Sequence, residues 1–205
     1  MIVALLDFKR APADWLRRAQ ALADEVDALI LRAKEESAGR QWELSRQLAG
    51  LSCPVWLADR ADVARAAGLS GVHLPEDGFS PEAVRSWWPD AHVSQAVHGV
   101  PDPGRVAGAD LLIFGHLFET RSKPGLSPRG PEAARQVVRA ASGCPVLGIG
   151  GVSAERIPLL AGTGLAGVVA ADALFEAPDP RQAARALKAA WAKLAERDLG
   201  REDAT

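Results

Sequence analysis

A histidine directly after an apolar run is well placed to transfer protons. Asp110 to Phe114 is a short apolar run between Gly108 and Gly115, which is typical of a strand buried on both faces. His116 follows it, and an imidazole changes charge near neutral pH. In a barrel of parallel strands the loops after the strands converge on one mouth, so His116 is predicted to be catalytic. The alternative is a histidine that only bonds a backbone group at the strand end.

Glycines after the seventh predicted strand indicate a phosphate site. Gly150 and Gly151 allow close approach of a ligand, and Ser153 is predicted to open a helix whose free N–H groups attract anions. Ala171 and Asp172 open a short extra helix after the next strand, which completes the phosphate site that recurs in such barrels. Asp172 is predicted to be an N-cap that turns to its own helix amides. A tight turn that needs glycine only for its φ angles is the alternative.

Basic residues after two other strands are candidates for binding an anionic substrate. Arg32 and Lys34 follow the second strand, where Arg can hold a carboxylate with two hydrogen bonds and Lys offers a point charge. The alternative is a salt bridge to Glu35 or another acid at the rim. Lys123 lies in the loop 119–130, which is predicted either to contact the ligand or to move as a lid.

Other residues that often do chemistry are interpreted as structural. His73 lies within the fourth predicted strand, and His98, beyond the fifth, is interpreted as an exposed loop residue. Cys53 and Cys144 are too far apart in sequence for a metal motif, and two thiols do not make a disulfide framework. We therefore expect both cysteines to be buried structural thiols, and a chain with free thiols is expected to be cytoplasmic.

Eight apolar runs alternate with helical or short connecting stretches, which requires right-handed parallel crossovers. The predicted strands are 2–6, 28–31, 54–57, 71–74, 92–96, 110–114, 145–149 and 166–170. The predicted helical stretches are 13–24, 37–49, 59–67, 80–88, 101–107, 130–141, 153–161, 172–175 and 180–196. We therefore predict an α/β fold, a single-domain (β/α)8 TIM barrel over residues 1–197, followed by a polar tail at 198–205.

Composition is that of an ordinary soluble globular chain. The 205 residues are 48% hydrophobic and 24% charged, with a net charge of -2. This balance gives no reason to expect a nucleic-acid partner, and no apolar run approaches the length of a membrane span. The adjacent residues Trp87 and Trp88 are interpreted either as packing under a helix or as a patch that joins two copies, so a homo-oligomer stays open.

Six short segments of the chain match one known superfamily in order. They are 31–34, 57–63, 71–74, 114–120, 149–151 and 171–180, and the match covers nearly the whole chain. On these segments the chain resembles the thiamine-phosphate synthase/TenI superfamily. The resemblance implies a barrel that binds a small-molecule thiazole phosphate. One branch joins a pyrimidine diphosphate to this thiazole with Mg²⁺, and the other, the TenI-type thiazole tautomerases, aromatises the thiazole beforehand.

Five positions depart from the synthase pattern. Synthases resemble this chain but usually have other residues at these positions. They carry Gln in place of Ile30, Asn in place of Ala58, a metal-binding Asp in place of Gly78, Ser in place of Ala96 and Pro in place of His116. A diphosphate leaving group needs its metal and the ligands of that metal. The resemblance therefore implies the tautomerase branch, with no metal ligand and no cofactor.

The implied function is a thiazole tautomerase of thiamin biosynthesis. His116 would remove a proton from a ring carbon of the carboxylated dihydrothiazole phosphate and return one to the exocyclic carbon. The expected substrate-binding residues are Arg32, Lys34, Gly115, Gly150, Gly151, Ala171, Asp172 and Lys123.

Two alternatives belong to other functional classes. One is a Mg²⁺-dependent thiamine-phosphate synthase in which Asp77 replaces the missing metal ligand. The other is a non-catalytic regulatory protein that binds the thiazole phosphate. Metal dependence would separate the two enzymes, and binding without turnover would indicate the regulator.

Overall fold

Eight parallel strands close into a barrel, which confirms the predicted (β/α)8 fold. The structure is a computed structural model that describes residues 1–202, with side chains to residue 198. The strands are β1 Ile2–Asp7, β2 Ala28–Arg32, β3 Val55–Ala58, β4 Gly71–Leu74, β5 His92–Val97, β6 Leu111–Gly115, β7 Val146–Ile149 and β8 Gly167–Ala170. Each strand pairs with its neighbours in sequence, and β8 pairs with β1.

Helices and short connections cover the outside of the barrel. They are α1 Trp15–Ala23, α2 Ala38–Leu48, α3 Ala61–Ala66, α4 Pro81–Arg85, α5 Pro103–Val106, α6 Gly130–Ala140, α7 Asp172–Phe175 and α8 Pro180–Glu202. Ser80 caps the start of α4, because its hydroxyl accepts a hydrogen bond from the Ala83 N–H at 3.3 Å. Helix α8 continues beyond the predicted end at Glu196, and residues 203–205 of the predicted tail lie outside the described residues.

The connection after β7 differs from its prediction. The stretch 153–161 was expected to form an α-helix, yet it contains turns and a 3-10 helix, Ile157–Leu160. Pro158 lies inside this stretch, and a proline has no N–H to continue an α-helical ladder. Ser153 therefore opens no helix, and the predicted helix-start amides are absent from this part of the phosphate site.

Inward-pointing residues alternate along each strand and fill the N-terminal end of the barrel. Val3, Ala28, Trp56, Leu111 and Leu147 belong to one buried apolar cluster there. The indole of Trp56 stacks on the imidazole of His92, with ring centroids 4.1 Å apart and planes inclined by 12°. This packing makes the N-terminal end a solid core and leaves open space only towards the other end.

The remaining sequence expectations concern thiols and membranes. Both cysteines are free; Cys53 is buried and Cys144 is partly buried. Burial raises the pKa of both thiols, which keeps them protonated and unreactive. Within the described residues, no helix combines the length and apolar character that crossing a membrane requires.

Candidate active site

A cavity of about 840 Å³ opens at the C-terminal ends of the strands. Every strand or the loop that follows it contributes to its lining, as expected where the loops of a barrel converge. All nine residues predicted from the sequence line this one cavity: Arg32, Lys34, Gly115, His116, Lys123, Gly150, Gly151, Ala171 and Asp172.

His116 is held in one orientation beside the cavity. The residue is 6% exposed, and its Nε2 lies 3.2 Å from the backbone oxygen of Leu126. A carbonyl oxygen only accepts hydrogen bonds, so Nε2 carries the proton and Nδ1 keeps the lone pair. The Arg129 N–H donates to the His116 carbonyl at 2.9 Å, which anchors the returning end of the loop to the same residue. His116 therefore bonds a backbone group, as the alternative interpretation expected, and also lines the cavity.

The two glycines after β7 make room for the histidine segment. Gly150 and Gly151 have φ angles of 101° and 65°, which disfavour any side chain. A Cβ on Gly150 would overlap Cβ of His116, and one on Gly151 would overlap the carbonyl oxygen of Glu119. The Phe118 N–H also donates to the Gly150 carbonyl at 3.0 Å. Two features thus explain why glycine occupies both positions: the positive φ angles of the turn and the close approach of the segment that contains His116 and Glu119.

The predicted N-cap role of Asp172 is wrong. Ala171 is the N-cap of α7, and no side chain caps this helix. Asp172 is the first helical residue, and its carboxylate accepts hydrogen bonds from Arg10 Nη1 at 3.2 Å and Nη2 at 3.0 Å. Its charge is therefore offset by a guanidinium from the loop after β1, 162 residues away in sequence. This pairing reduces the repulsion that an isolated carboxylate would exert on a bound phosphate.

Arg32 and Lys34 form ion pairs with acids at the rim, as the alternative interpretation expected, although neither partner is Glu35 or Glu36. Arg32 Nη1 lies 3.0 Å from Asp7 Oδ1, and Lys34 Nζ lies 3.6 Å from Asp59 Oδ2. Both basic side chains are 34% exposed. Partly exposed pairs contribute only about 0–1 kcal/mol, so a ligand carboxylate can compete for either cation.

Three consecutive residues of the loop 119–130 reach across the mouth. Arg121 pairs with Asp172 of α7 and with Glu176, which directly follows this helix. The Ser122 hydroxyl accepts a hydrogen bond from Arg10 Nη2 at 2.7 Å. On the other side, Nζ of Lys123 lies 3.5 Å from Nε2 of His98. The loop therefore lies over the cavity and connects the α7 side with the β5 side.

Two other histidines also line the cavity. His98 was predicted to be an exposed loop residue, but it is half-buried in the wall, where its Nδ1 lies 2.7 Å from Glu76 Oε2. His73 points inward from β4, with Nδ1 3.1 Å from the Ser94 hydroxyl. Desolvation, and then the charge of Lys34, lowers the pKa of His73 from 6.5 to about 4, so its imidazole is neutral at pH 7.

Comparison with known proteins identifies the family. Residues 6–174 match the family model described as thiamine monophosphate synthase, TMP-TENI. The chain belongs to this family. Its members include a thiamine-phosphate synthase of Anaeromyxobacter dehalogenans, which is 35% identical over 188 residues that cover 87% of this chain and 84% of the relative.

Two further relatives are consistent with this membership. The bifunctional ThiM/ThiE protein of Symbiobacterium thermophilum is 38% identical over 163 residues, which cover 78% of this chain but only 33% of that longer protein. The solved structure of a thiamine phosphate pyrophosphorylase from Pyrococcus furiosus superposes with a TM-score of 0.82 at 22% identity, covering 94% of this chain and 96% of that one. At that identity the superposition supports the shared fold alone.

The donor groups at the mouth do not fit a resident divalent cation. Among the residues that the structure describes, no group of three or more His, Cys, Asp or Glu side chains could hold a metal ion. Ala58 and Ala96 line the cavity and carry no donor atom. Asp59, the acid retained beside Ala58, is paired with Lys34, and Asp77 belongs to no described group of three such side chains. Hard cations bind through several oxygen ligands at one point, and the described acids of this rim form no such cluster.

Sequence reasoning missed two acids and one arginine of the site. Asp7 ends β1, Arg10 follows it, and Glu76 follows β4, so all three lie where loops converge on the mouth. Their position at or after the end of a strand is the same signal that singled out Arg32 and Lys34. Apart from the pair that Arg10 forms with Asp7, their charged partners lie far away in sequence and could not be found by that signal.

Proposed function

We propose that this member of the family is a thiazole tautomerase that aromatises a carboxylated dihydrothiazole phosphate. The observation that carries the proposal is the orientation of His116, whose Nε2 is bonded to the Leu126 carbonyl and whose Nδ1 retains a lone pair. An oriented imidazole with a free lone pair is the group that proton abstraction from carbon requires.

The reaction moves one proton and needs no net change of charge. Nδ1 of His116 takes the proton from the ring carbon, the electron pair moves through the ring, and the exocyclic carbon takes a proton from the resulting imidazolium. The bond to the Leu126 carbonyl keeps the ring in place during both transfers, since Nε2–H remains a donor throughout. Aromaticity of the product drives the reaction.

The remaining charges of the cavity suit the two anionic groups of this substrate. Arg32 and Lys34 lie on one side and offer hydrogen bonds to the carboxylate. The backbone at Gly150, Gly151 and Ala171 lies after β7 and β8, where phosphate groups bind in barrels of this type. A small, doubly anionic ligand is therefore the substrate class that we propose.

A Mg²⁺-dependent thiamine-phosphate synthase is the second candidate. It is supported by the names of the relatives from Anaeromyxobacter dehalogenans and Symbiobacterium thermophilum. Against it stand Ala58, Gly78 and Ala96, none of which carries a ligand atom, and the ion pair that occupies Asp59.

One pair of assays separates the two candidates. The first measures aromatisation of the dihydrothiazole carboxylate phosphate in the presence of a chelator. The second measures condensation of the aromatic thiazole phosphate with the pyrimidine diphosphate in the presence of Mg²⁺. We expect turnover in the first assay and none in the second. Turnover only in the second would replace the tautomerase by the synthase, and binding without turnover in either would indicate a regulatory protein.

A further inference from the structure

Lys123 differs from the other cations that line the cavity. Five of these six cations form an ion pair with a carboxylate: Lys9, Arg10, Arg32, Lys34 and Arg121. Lys123 has no carboxylate partner among the described side chains. Its ammonium instead donates a hydrogen bond to His98 Nε2, 3.5 Å away. The positive charge of Lys123 is therefore held in place without being neutralised.

A single carboxylate fixes the histidine that holds this lysine. Glu76 Oε2 accepts a hydrogen bond from His98 Nδ1 at 2.7 Å, and Oε1 accepts one from the His98 backbone N–H at 2.9 Å. Because Nδ1 carries the proton, Nε2 presents its lone pair to Lys123. Desolvation raises the pKa of Glu76, but the hydrogen bonds from His98 outweigh it and lower the pKa overall. The carboxylate therefore remains ionised and able to orient the ring.

We infer that Glu76 and His98 are positioning residues that hold the charge of Lys123 over the cavity, where it receives an anionic group of the ligand. The inference rests on the proposed function, since it takes the ligand to be a thiazole phosphate. A neutral imidazole leaves the ammonium charge available, whereas a carboxylate in its place would cancel it. The arrangement also ties the loop 119–130 to the β5 side of the mouth while the ligand is bound.

Two arginines are the other charged groups around the pair: Arg105, which donates to the Glu76 carbonyl, and Arg129, whose charge acts on Glu76.

The test measures kcat and KM for the intact chain and for His98→Ala, His98→Gln and Lys123→Ala. We expect His98→Ala to raise KM about ten-fold with little change in kcat, because binding is weakened equally in ground and transition states. His98→Gln places a carbonyl oxygen near the position of Nε2, where it can accept the hydrogen bond from Lys123. It should therefore restore KM.

A double variant shows whether His98 acts through the lysine. His98→Ala combined with Lys123→Ala should bind no more weakly than Lys123→Ala alone, because coupled residues are not additive. Additive effects, or a KM of His98→Gln as high as that of His98→Ala, would overturn the inference. Repeating the comparison with a thiazole phosphate that lacks the carboxylate identifies the anionic group: an effect that disappears assigns the carboxylate, and one that persists assigns the phosphate.

Calorimetry separates this inference from the proposed function. If the intact chain shows no turnover, the dissociation constant of the aromatic thiazole carboxylate phosphate replaces KM in every comparison. Absence of turnover with the expected pattern of binding would contradict the tautomerase and retain the positioning pair. Absence of binding by the intact chain would overturn both.

Discussion

The two ends of the barrel interior use inward-pointing side chains in opposite ways. At the N-terminal end these side chains are apolar and packed against one another, with Trp56 stacked on His92. At the C-terminal end charged and imidazole groups, together with apolar side chains such as Ile113 and Ile149, line a cavity of about 840 Å³. The strands are only four to six residues long, so each has two or three inward-pointing residues. The change from packed core to cavity therefore takes place within two or three residues of each strand.

Histidines show what this difference does to one residue type. At the packed end, desolvation lowers the pKa of His92 against the opposing charge of Asp110, and its Nε2 has no hydrogen-bond partner. At the open end, His116 has one ring nitrogen bonded to a loop carbonyl and lines the cavity. Depth within the barrel, rather than residue type, thus distinguishes a structural imidazole from one available to a ligand.

The largest effect should come from replacing the histidine at the open end. We expect His116→Gln to lower kcat about 10²- to 10⁴-fold, the range that general acid–base catalysis supplies. The melting temperature should change little, because the amide of Gln can still donate to the Leu126 carbonyl. His92→Gln is the matched control at the packed end, and its kcat per folded molecule should equal that of the intact chain. Similar kcat losses in both variants would contradict the comparison.

The next largest effect concerns the packed end itself. Trp56 is 2% exposed, so Trp56→Ala should lower the free energy of unfolding by about 3–5 kcal/mol in urea titrations. Trp42 on α2 is 45% exposed, and Trp42→Ala should cost only about 0.5 kcal/mol. If Trp56→Ala does not fold, Trp56→Phe provides the measurement with a smaller loss of volume. Equal costs at the two tryptophans would disprove the packed-core description.

A smaller effect links pH to stability through His73, between the two ends. Its pKa is lowered to about 4 in the folded chain, so the unfolded chain binds more protons between about pH 4 and pH 6.5. The stabilisation is complete above about pH 6.5 and is lost as the pH falls towards 4, with a total on the order of 3 kcal/mol. His73→Gln should flatten this part of the stability curve in urea titrations. An unchanged pH dependence would show that another group is responsible.

Much of the fold was predictable because each strand is a short apolar run bounded by glycine, proline or polar residues. The helical stretch after β7 was mispredicted because Pro158 limits it to turns and a 3-10 helix. Helix α8 was predicted too short because its polar last turns carry no apolar periodicity.

The site was predictable in its lining but not in its contacts. Position after a strand was sufficient to place His116, Arg32 and Lys34 at the mouth. The pairing of Arg10 with Asp172 joins residues from opposite ends of the chain, and closure of the barrel alone brings them together. No local pattern encodes such a contact, which is why Asp172 was misassigned as an N-cap.

The most direct test of the central claim is an NMR experiment in D₂O without metal, in which the intact chain acts on the dihydrothiazole carboxylate phosphate. The tautomerase proposal predicts rapid formation of the aromatic thiazole. Deuterium should appear on the side-chain carbon that had been exocyclic to the extent that the imidazolium of His116 exchanges with D₂O before it returns the proton. The proposal also predicts that His116→Gln forms this product no faster than buffer. Aromatisation by the intact chain at the spontaneous rate would contradict the proposal.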